Sequence, residues 1–494
     1  MVIPSAAMNR KHEEMLDEIA HGAMIDKGLE PDFNAAVQKQ LAGISGPAGV
    51  SDGDEIRDLR HLGWCSIDND DSRDLDQLSW GEDAGGGSTR IFIAVADVDA
   101  LVKKGTPIDD HARHNTTSVY TAARVFSMLP EKLSTDLTTL NEGEDRVALV
   151  IELTVRDDGT SEDGGVYRAL VHNKAKLAYD RVAAWLDGED DEPEKVRNVE
   201  GLAESLRLQD RTADRMRDLR HEHGALDLET IEARPVIRDG QVVDLQQSKR
   251  NNARLLIEDF MIAANGATAR FLAKRGFPSI RRVVRSPERW DRIERIAEEL
   301  GDRLPPEPDA RALEEFLKRR KKADPMRFPD LSLSIVKAMG AGEYVAEEAK
   351  DKPIGHFGLA VKDYTHSTAP NRRYPDLITH RMVKAALAGT KQPYDLDELA
   401  ALAEHCTAQE DAANKVERFV RKVAAAYLLR DRVGDRFDGI VTGASPKGTW
   451  VRIFRPPIEG KVVRGWKDLD IGDRVKVKLI DVDVERGFID FGRA

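Results

Sequence analysis

The sequence predicts an α+β fold in three unequal parts: a small helical module at the amino terminus, a large mixed domain, and a small β-barrel at the carboxyl end. Three observations predict it. The chain has 494 residues, too many for one ordinary domain of roughly 100–200 residues. The apolar periodicity switches from helical to strand-like near residue 61. Beyond residue 435 the chain breaks into short apolar runs separated by glycine turns.

In chain order, Met15, Leu16 and Ile19 recur at helical spacing, and a second helical run covers 33–41. The stretch GPAGVSDGDE after Ser45 reads as a linker, so the module is placed at 1–60. Short strands follow, at 91–95 and 147–155, with Gly85-Gly86-Gly87 as a hairpin tip. Amphipathic helices are predicted at about 202–220, 251–274, 289–300 and 396–432. The mixed domain therefore spans 61–435. Residues 436–494 hold five strand runs, FDGIVTGAS, GTWVRIF, IEGKVV, GDRVKVKLIDVD and RGFIDF, enough for a barrel of the OB type. Trp450, Phe454, Lys461 and Arg464 would give it either a face for single-stranded nucleic acid or packed aromatics under a solvated exterior.

Composition narrows the function. Hydrophobic residues make up 41% and charged residues 33%. No apolar run approaches the ~18 residues of a membrane span, and no signal-peptide core opens the chain. Only Cys65 and Cys406 occur, which excludes a disulfide framework or a four-cysteine metal site and points to the cytoplasm. The net charge of −13 argues against a uniformly basic nucleic-acid coat, yet 436–494 carries twelve Lys/Arg against nine Asp/Glu. An acidic protein with one basic end is compatible with RNA binding.

Five aspartates, Asp68, Asp70, Asp71, Asp74 and Asp76, fall within nine residues. In an extended segment Asp74 and Asp76 point the same way, and the loop before them can return Asp68 to the same point. Such a cluster suits a hard cation, with magnesium taking carboxylates plus substrate phosphate oxygens. It also suits a solvated acidic loop or a structural calcium loop, although the spacing does not fit an EF-hand. The run Lys318–Lys322 reads as a solvated helix face or as a guide for a phosphate backbone.

The runs IDNDDSRDLDQ, IAVADVDALVKKGTPIDDHARHNTTSVY, MLPEKLSTDLTTLNEGEDR, AKLAYD, LLIEDFMIAAN and HFGLAVKDYTHSTAPNRRYPDLITHR, in this order across 61–435, closely resemble the catalytic domain of the ribonuclease II and ribonuclease R exoribonucleases, the RNB type. The resemblance implies processive 3′→5′ hydrolysis of single-stranded RNA to nucleoside 5′-monophosphates, with magnesium as cofactor and manganese as substitute. Asp68, Asp74 and Asp76 match three of the family's four active-site aspartates; Gln77 stands where the fourth is usual, which implies a weaker second metal site. Arg372 and Arg373 match the place of an arginine on the scissile phosphate, where a guanidinium fork binds bidentately, and Arg372 is assigned to catalysis. Tyr120 and Tyr179 match aromatic positions that stack on terminal bases, a grip that serves every base. Glu258, in a helix apolar nearly all round, is expected to be buried near the ribose or the arginine. His356, His366 and His380 are dense enough to suggest zinc, but their spacings of ten and fourteen fit no common site, and the resemblance implies no zinc, so the reading goes against it.

Residues 1–60 are too short and too helical for the two OB barrels that typically open such chains. They are expected to form either a helix-turn-helix-like module or a helix pair docked on the catalytic domain. The carboxyl-terminal barrel resembles the family's RNA-binding OB domain, and no Lys-rich tail follows it, which favours unstructured RNA. The expectation is a monomeric, cytoplasmic exoribonuclease with RNA as partner. The alternative is a catalytically impaired RNA-binding regulator, motivated by Gln77.

Overall fold

Two helices, α1 (Ser5–Asp26) and α2 (Ala35–Ala42), form the amino-terminal module, and Asn34 caps α2 by accepting from the Ala36 and Val37 N–H groups. The computed structural model describes residues 5–50, 55–229, 233–238, 241–247, 250–445, 448–469 and 472–494. Of the linker expected at 46–55, residues 51–54 lie outside the described residues.

The mixed domain opens with β1 (Ile56–Asp58), β2 (Cys65–Asp68), β3 (Gln77–Gly85) and β4 (Ser88–Ala96). Next come α3 (Pro107–Asn115) and a small hairpin of β5 (Val119–Tyr120) and β6 (Val125–Phe126). Then follow β7 (Asp145–Val155), β8 (Ser161–His172), β9 (Ala175–Ala178), α4 (Tyr179–Leu186), α5 (Glu194–Arg197) and α6 (Leu202–Glu222). Seven strands make one sheet in the order β1-β8-β7-β4-β3-β2-β9. β1 pairs in parallel with β8, so the sheet starts ahead of the boundary placed at residue 60. That strand has three residues, two of them charged, and only its partner reveals it.

A two-stranded unit of β10 (Ala233–Arg238) and β11 (Gln241–Gln247) precedes the long helix α7 (Asn252–Lys274). β12 (Ser279–Val283) pairs with β13 (Glu343–Glu347) around a bundle of α8 (Trp290–Glu299), α9 (Ala310–Ala323) and α10 (Phe328–Met339). The domain ends with α11 (Tyr374–Ala388) and α12 (Leu396–Leu429). Ile91 through Ala96 of β4 are all buried, with the apolar faces of α6 and α7 in the same core. A sheet covered on both faces reads as a continuous apolar run, and IFIAVA is one.

The expected barrel is present: β14 (Arg436–Ser445), β15 (Gly448–Ile453), β16 (Glu459–Arg464), β17 (Arg474–Asp483) and β18 (Phe488–Arg493) close in the order β14-β15-β16-β18-β17. Closure removes the sheet's open edges. Gly460 permits it, because a Cβ there would stand 2.6 Å from the Phe491 ring. Arg452 of the barrel reaches Asp330 of α10 at 2.9 Å. No helix among the described residues is long and apolar enough to cross a membrane.

Candidate active site

The acidic cluster lies where β2 ends. Asp68, its last residue, pairs in register with Ala178 of β9, and Tyr179 begins α4 immediately afterwards. One parallel pairing therefore sets the first aspartate beside the second tyrosine. The loop that follows is pinned from below: Lys176 Nζ donates to the Ser72 carbonyl at 2.6 Å and to that of Asp70 at 3.3 Å. The side chains of Asp70 and Asp71 are exposed.

Leu75 turns into the core, and Thr139 Oγ1 accepts its N–H at 2.5 Å. Its neighbours Asp74 and Asp76 consequently face the other way together, as an extended segment requires. Asp76 is 3% exposed. Its Oδ1 accepts from the Asn371 N–H at 3.1 Å and from Asn371 Nδ2 at 2.9 Å. Its Oδ2 has no hydrogen-bond partner and lies 3.5 Å from Arg372 Nε. Burial pushes Asp76 up to about 7, against the pull of Arg372, and Asp74 adds to the rise. Burial likewise raises Asp68, again with Asp74 contributing. Among the described residues no three carboxylate, imidazole or thiol groups close a metal cage. Asp68, Asp74 and Asp76 instead form an open acidic row.

Tyr120 belongs to this row: its hydroxyl donates to Asp74 Oδ2 at 3.2 Å. Its hairpin is tied to the arginine segment, because the Ser118 N–H donates to the Arg372 carbonyl at 3.0 Å and the Tyr374 N–H to that of Thr116 at 2.8 Å. Arg372 is 42% exposed at the side chain and turns toward the acids. Tyr179 carries the Arg254 guanidinium 4.5 Å above its ring, and Arg254 Nη2 donates to Asn69 Oδ1 at 2.6 Å. The structure thus brings Asp68, Asp74, Asp76, Arg372, Tyr120 and Tyr179 into one neighbourhood, with Asn371 and Arg254 as members that the sequence reading missed. Asn371 had a signal, its place in APNRRY beside the arginine.

Two expected site residues have other employment. Glu258 is exposed, and Oε1 and Oε2 accept from Arg250 Nη2 at 3.1 and 2.9 Å. The buried acid of that helix is Asp259, 2% exposed and held by Arg217 and Arg220. Arg373, matched with Arg372 to the phosphate position and expected to bind RNA, instead donates Nε and Nη2 to Asp376 at 2.9 and 2.8 Å, one turn along the chain. That bidentate pair commits its guanidinium to the protein.

The three histidines go to separate partners. The Leu359 N–H donates to His356 Nδ1, the Tyr344 hydroxyl bonds His366 Nδ1, and His380 Nε2 lies 2.7 Å from the Ser367 carbonyl. In the basic run, Lys318, Arg319 and Lys321 pair with Glu314, Asp302 and Asp227. On the barrel, Trp450 is half-buried and sits opposite Lys461 in the ladder, while Phe454, Lys461 and Arg464 are exposed. Trp466 and Phe488 add exposed rings that the sequence reading did not pick out.

Ribonuclease R of Escherichia coli strain K12 is 31% identical over 531 residues, covering 98% of this chain and 64% of that protein, so the chain spans less than two thirds of its length. Ribonuclease R of Mycoplasma genitalium, solved with ribose-methylated single-stranded RNA, superposes with a TM-score of 0.87 at 23% identity, covering 96% of this chain and 77% of that one. Yeast Ssd1, a pseudonuclease, shares the fold at a TM-score of 0.69 and 16% identity, covering 94% of this chain and 57% of that one. The RNase II-type exonuclease C-terminal S1 domain matches residues 435–494 and the RNB domain matches residues 56–389; the chain belongs to the RNB family.

Proposed function

We propose that this protein is a 3′→5′ exoribonuclease that hydrolyses single-stranded RNA processively to nucleoside 5′-monophosphates. The observation that carries the reading is the surroundings of Asp76: a buried carboxylate with one oxygen fixed by Asn371 and the other unpartnered, facing an arginine. A buried carboxylate oxygen that makes no hydrogen bond and faces an arginine at 3.5 Å keeps its lone pairs for a cation.

The residues fit magnesium. A buried orphan carboxylate oxygen and two carboxyls raised by burial are what an adjacent cation would relieve. Magnesium takes one or two carboxylates and completes its shell with water and phosphate oxygens, so an open row serves it better than a closed cage. Asp68, Asp74 and Asp76 would hold it, with manganese as substitute on the same oxygens. The chemistry such an ion supplies when bound is Lewis acidity, activating a water and neutralising phosphate charge.

The chain's own residues do the rest. Arg372 offers a guanidinium to the scissile phosphate and stabilises charge that grows in the transition state. Tyr120 and Tyr179 give ring faces to the terminal bases, worth ~1–3 kcal/mol each without sequence choice. The barrel's exposed aromatic and basic residues receive the strand upstream. The protein acts as a monomer, and two buried free cysteines suit the reducing cytoplasm.

Identifying the released nucleotides tests this reading. Nucleoside 5′-monophosphates from an unstructured RNA support it, whereas 3′-monophosphates or internal fragments overturn it. The second reading, an impaired RNA-binding regulator, is favoured by Gln77, whose amide nitrogen donates to the Thr368 carbonyl instead of adding a carboxylate. It predicts tight RNA binding without products.

A further inference from the structure

The hairpin that carries Tyr120 is held from two sides. Its main-chain N–H at Tyr120 donates to Glu417 Oε1 of α12 at 2.8 Å. The other side is α1. Ala20, Ala23 and Met24 of that helix share an apolar cluster with Val119 and Phe126 of the hairpin and with Ala412, Ala413, Val416 and Val420 of α12. Leu16 and Ile19 share another with Ala122 and Ala123 at its tip. At the turn, Arg124 Nε pairs with Asp17 of α1 at 2.9 Å, and its guanidinium lies 4.4 Å over the Phe126 ring.

A two-stranded hairpin of this length is not stable alone in water. Its position must come from what covers it, and one covering wall is the amino-terminal helix. From the hairpin the connection to the site is direct, through the Tyr120 hydroxyl on Asp74 and the Ser118 N–H on the Arg372 carbonyl. We infer that α1 is a positioning element of the active site: its Ala20/Ala23/Met24 face and Asp17 hold the β5–β6 hairpin so that Tyr120 stays against Asp74. The inference rests on the exoribonuclease reading and gives the amino-terminal module a task in catalysis.

The geometry separates two strengths of contact. The Asp17–Arg124 pair is exposed on both sides, and such pairs are weak. The apolar face is the stronger element, with Ala20 and Met24 fully buried. Placing a charge at Ala20 should therefore undock the helix, and reversing the charge at Asp17 should loosen it.

The test uses the full chain carrying Ala20→Asp, Asp17→Arg, or the swap Asp17→Arg with Arg124→Asp. Three quantities are read: hydrogen exchange of the amides in 117–126, and kcat and KM on a long unstructured RNA with magnesium. Ala20→Asp is expected to speed exchange in the hairpin and to lower kcat about tenfold, short of the roughly 10²-fold that a 1 Å misplacement costs, with KM within about twofold, because the remote barrel binds the strand. Asp17→Arg is expected to lose about threefold in kcat, and the swap to restore most of it. A hairpin whose exchange is unchanged in Ala20→Asp overturns the inference. So does faster exchange with unchanged kcat, or a swap that restores nothing. A wild type that leaves RNA intact would overturn the exoribonuclease reading and this inference together, whereas an active wild type with unmoved variants overturns this inference alone.

Discussion

Asn371 gives both its main-chain N–H and its side-chain amide to one oxygen of Asp76, Oδ1, and so leaves Oδ2 as the free corner of the carboxylate. Asn371 is itself fixed, since its Oδ1 accepts from Thr138 Oγ1 at 2.5 Å. The aspartate cannot rotate without breaking two hydrogen bonds in a buried site, which costs about 1–3 kcal/mol for each group left unpaired.

Asp76→Asn removes the charge while keeping the shape. It is predicted to abolish turnover and leave RNA binding largely intact, checked by product ladders and by filter binding. Asn371→Ala should lower kcat by about 10²-fold through misplacement of Asp76. Parallel loss of binding and turnover in Asp76→Asn would mean that the residue shapes the fold rather than the chemistry.

Gln77 spends its amide nitrogen on the Thr368 carbonyl. Aspartate at that position cannot donate, so Gln77→Asp sets a carboxylate against a carbonyl oxygen and should destabilise the metal-free protein by about 1–3 kcal/mol. With magnesium the same carboxylate becomes a ligand, and half-maximal turnover should need less of the ion. Titration of activity with magnesium checks this, and an unchanged dependence would contradict it.

Tyr179 is half-buried against the main core and carries Arg254 on one ring face. Tyr179→Ala should lengthen the limit product, because the last nucleotides lose a stacking partner worth ~1–3 kcal/mol. The readout is the final ladder at single-nucleotide resolution, and an unmoved end point would remove Tyr179 from the grip.

Away from the site, His221 Nδ1 lies 3.1 Å from Glu314 Oε1, a carboxylate 1% exposed. That carboxylate, helped by the Ala225 carbonyl 2.7 Å from the same nitrogen, favours the imidazolium and raises His221 above its ordinary value of 6.5. A raised folded pKa stabilises the protein fully below the unfolded pKa, and the gain is lost as the pH climbs through the folded one. His221→Gln should therefore lower the thermal midpoint clearly at about pH 6 and less at about pH 8.5. Equal losses at both would show that packing, not charge, is what His221 contributes.

The site was legible in the sequence where one short motif carries several of its members. Asp74 and Asp76 follow from the two-residue period of an extended segment, and Leu75 between them is the buried residue that the period demands. Tyr179 and Asp68 meet through the parallel pairing of β2 with β9, which no local pattern displays. Glu258 was misjudged because α7 looks apolar on every side; its exposed strip shows only once Arg250 is seen across from it, and the buried Asp259 finds its arginines 42 and 39 residues away. The role of Arg373 was within reach, since an acid three residues on, at the first turn of α11, is a local pairing signal. The docking of α1 on the Tyr120 hairpin was out of reach, because its partners lie about a hundred residues and more along the chain.

The decisive experiment on catalysis at Asp76 is a time course of a 5′-labelled, unstructured RNA with the wild type and Asp76→Asn, with and without magnesium, at single-nucleotide resolution. The wild type with magnesium is expected to convert full-length RNA straight to a short limit product, with no ladder of intermediates, and the other three conditions to leave the RNA bound and intact. Degradation without magnesium, or by Asp76→Asn at the wild-type rate, would contradict it.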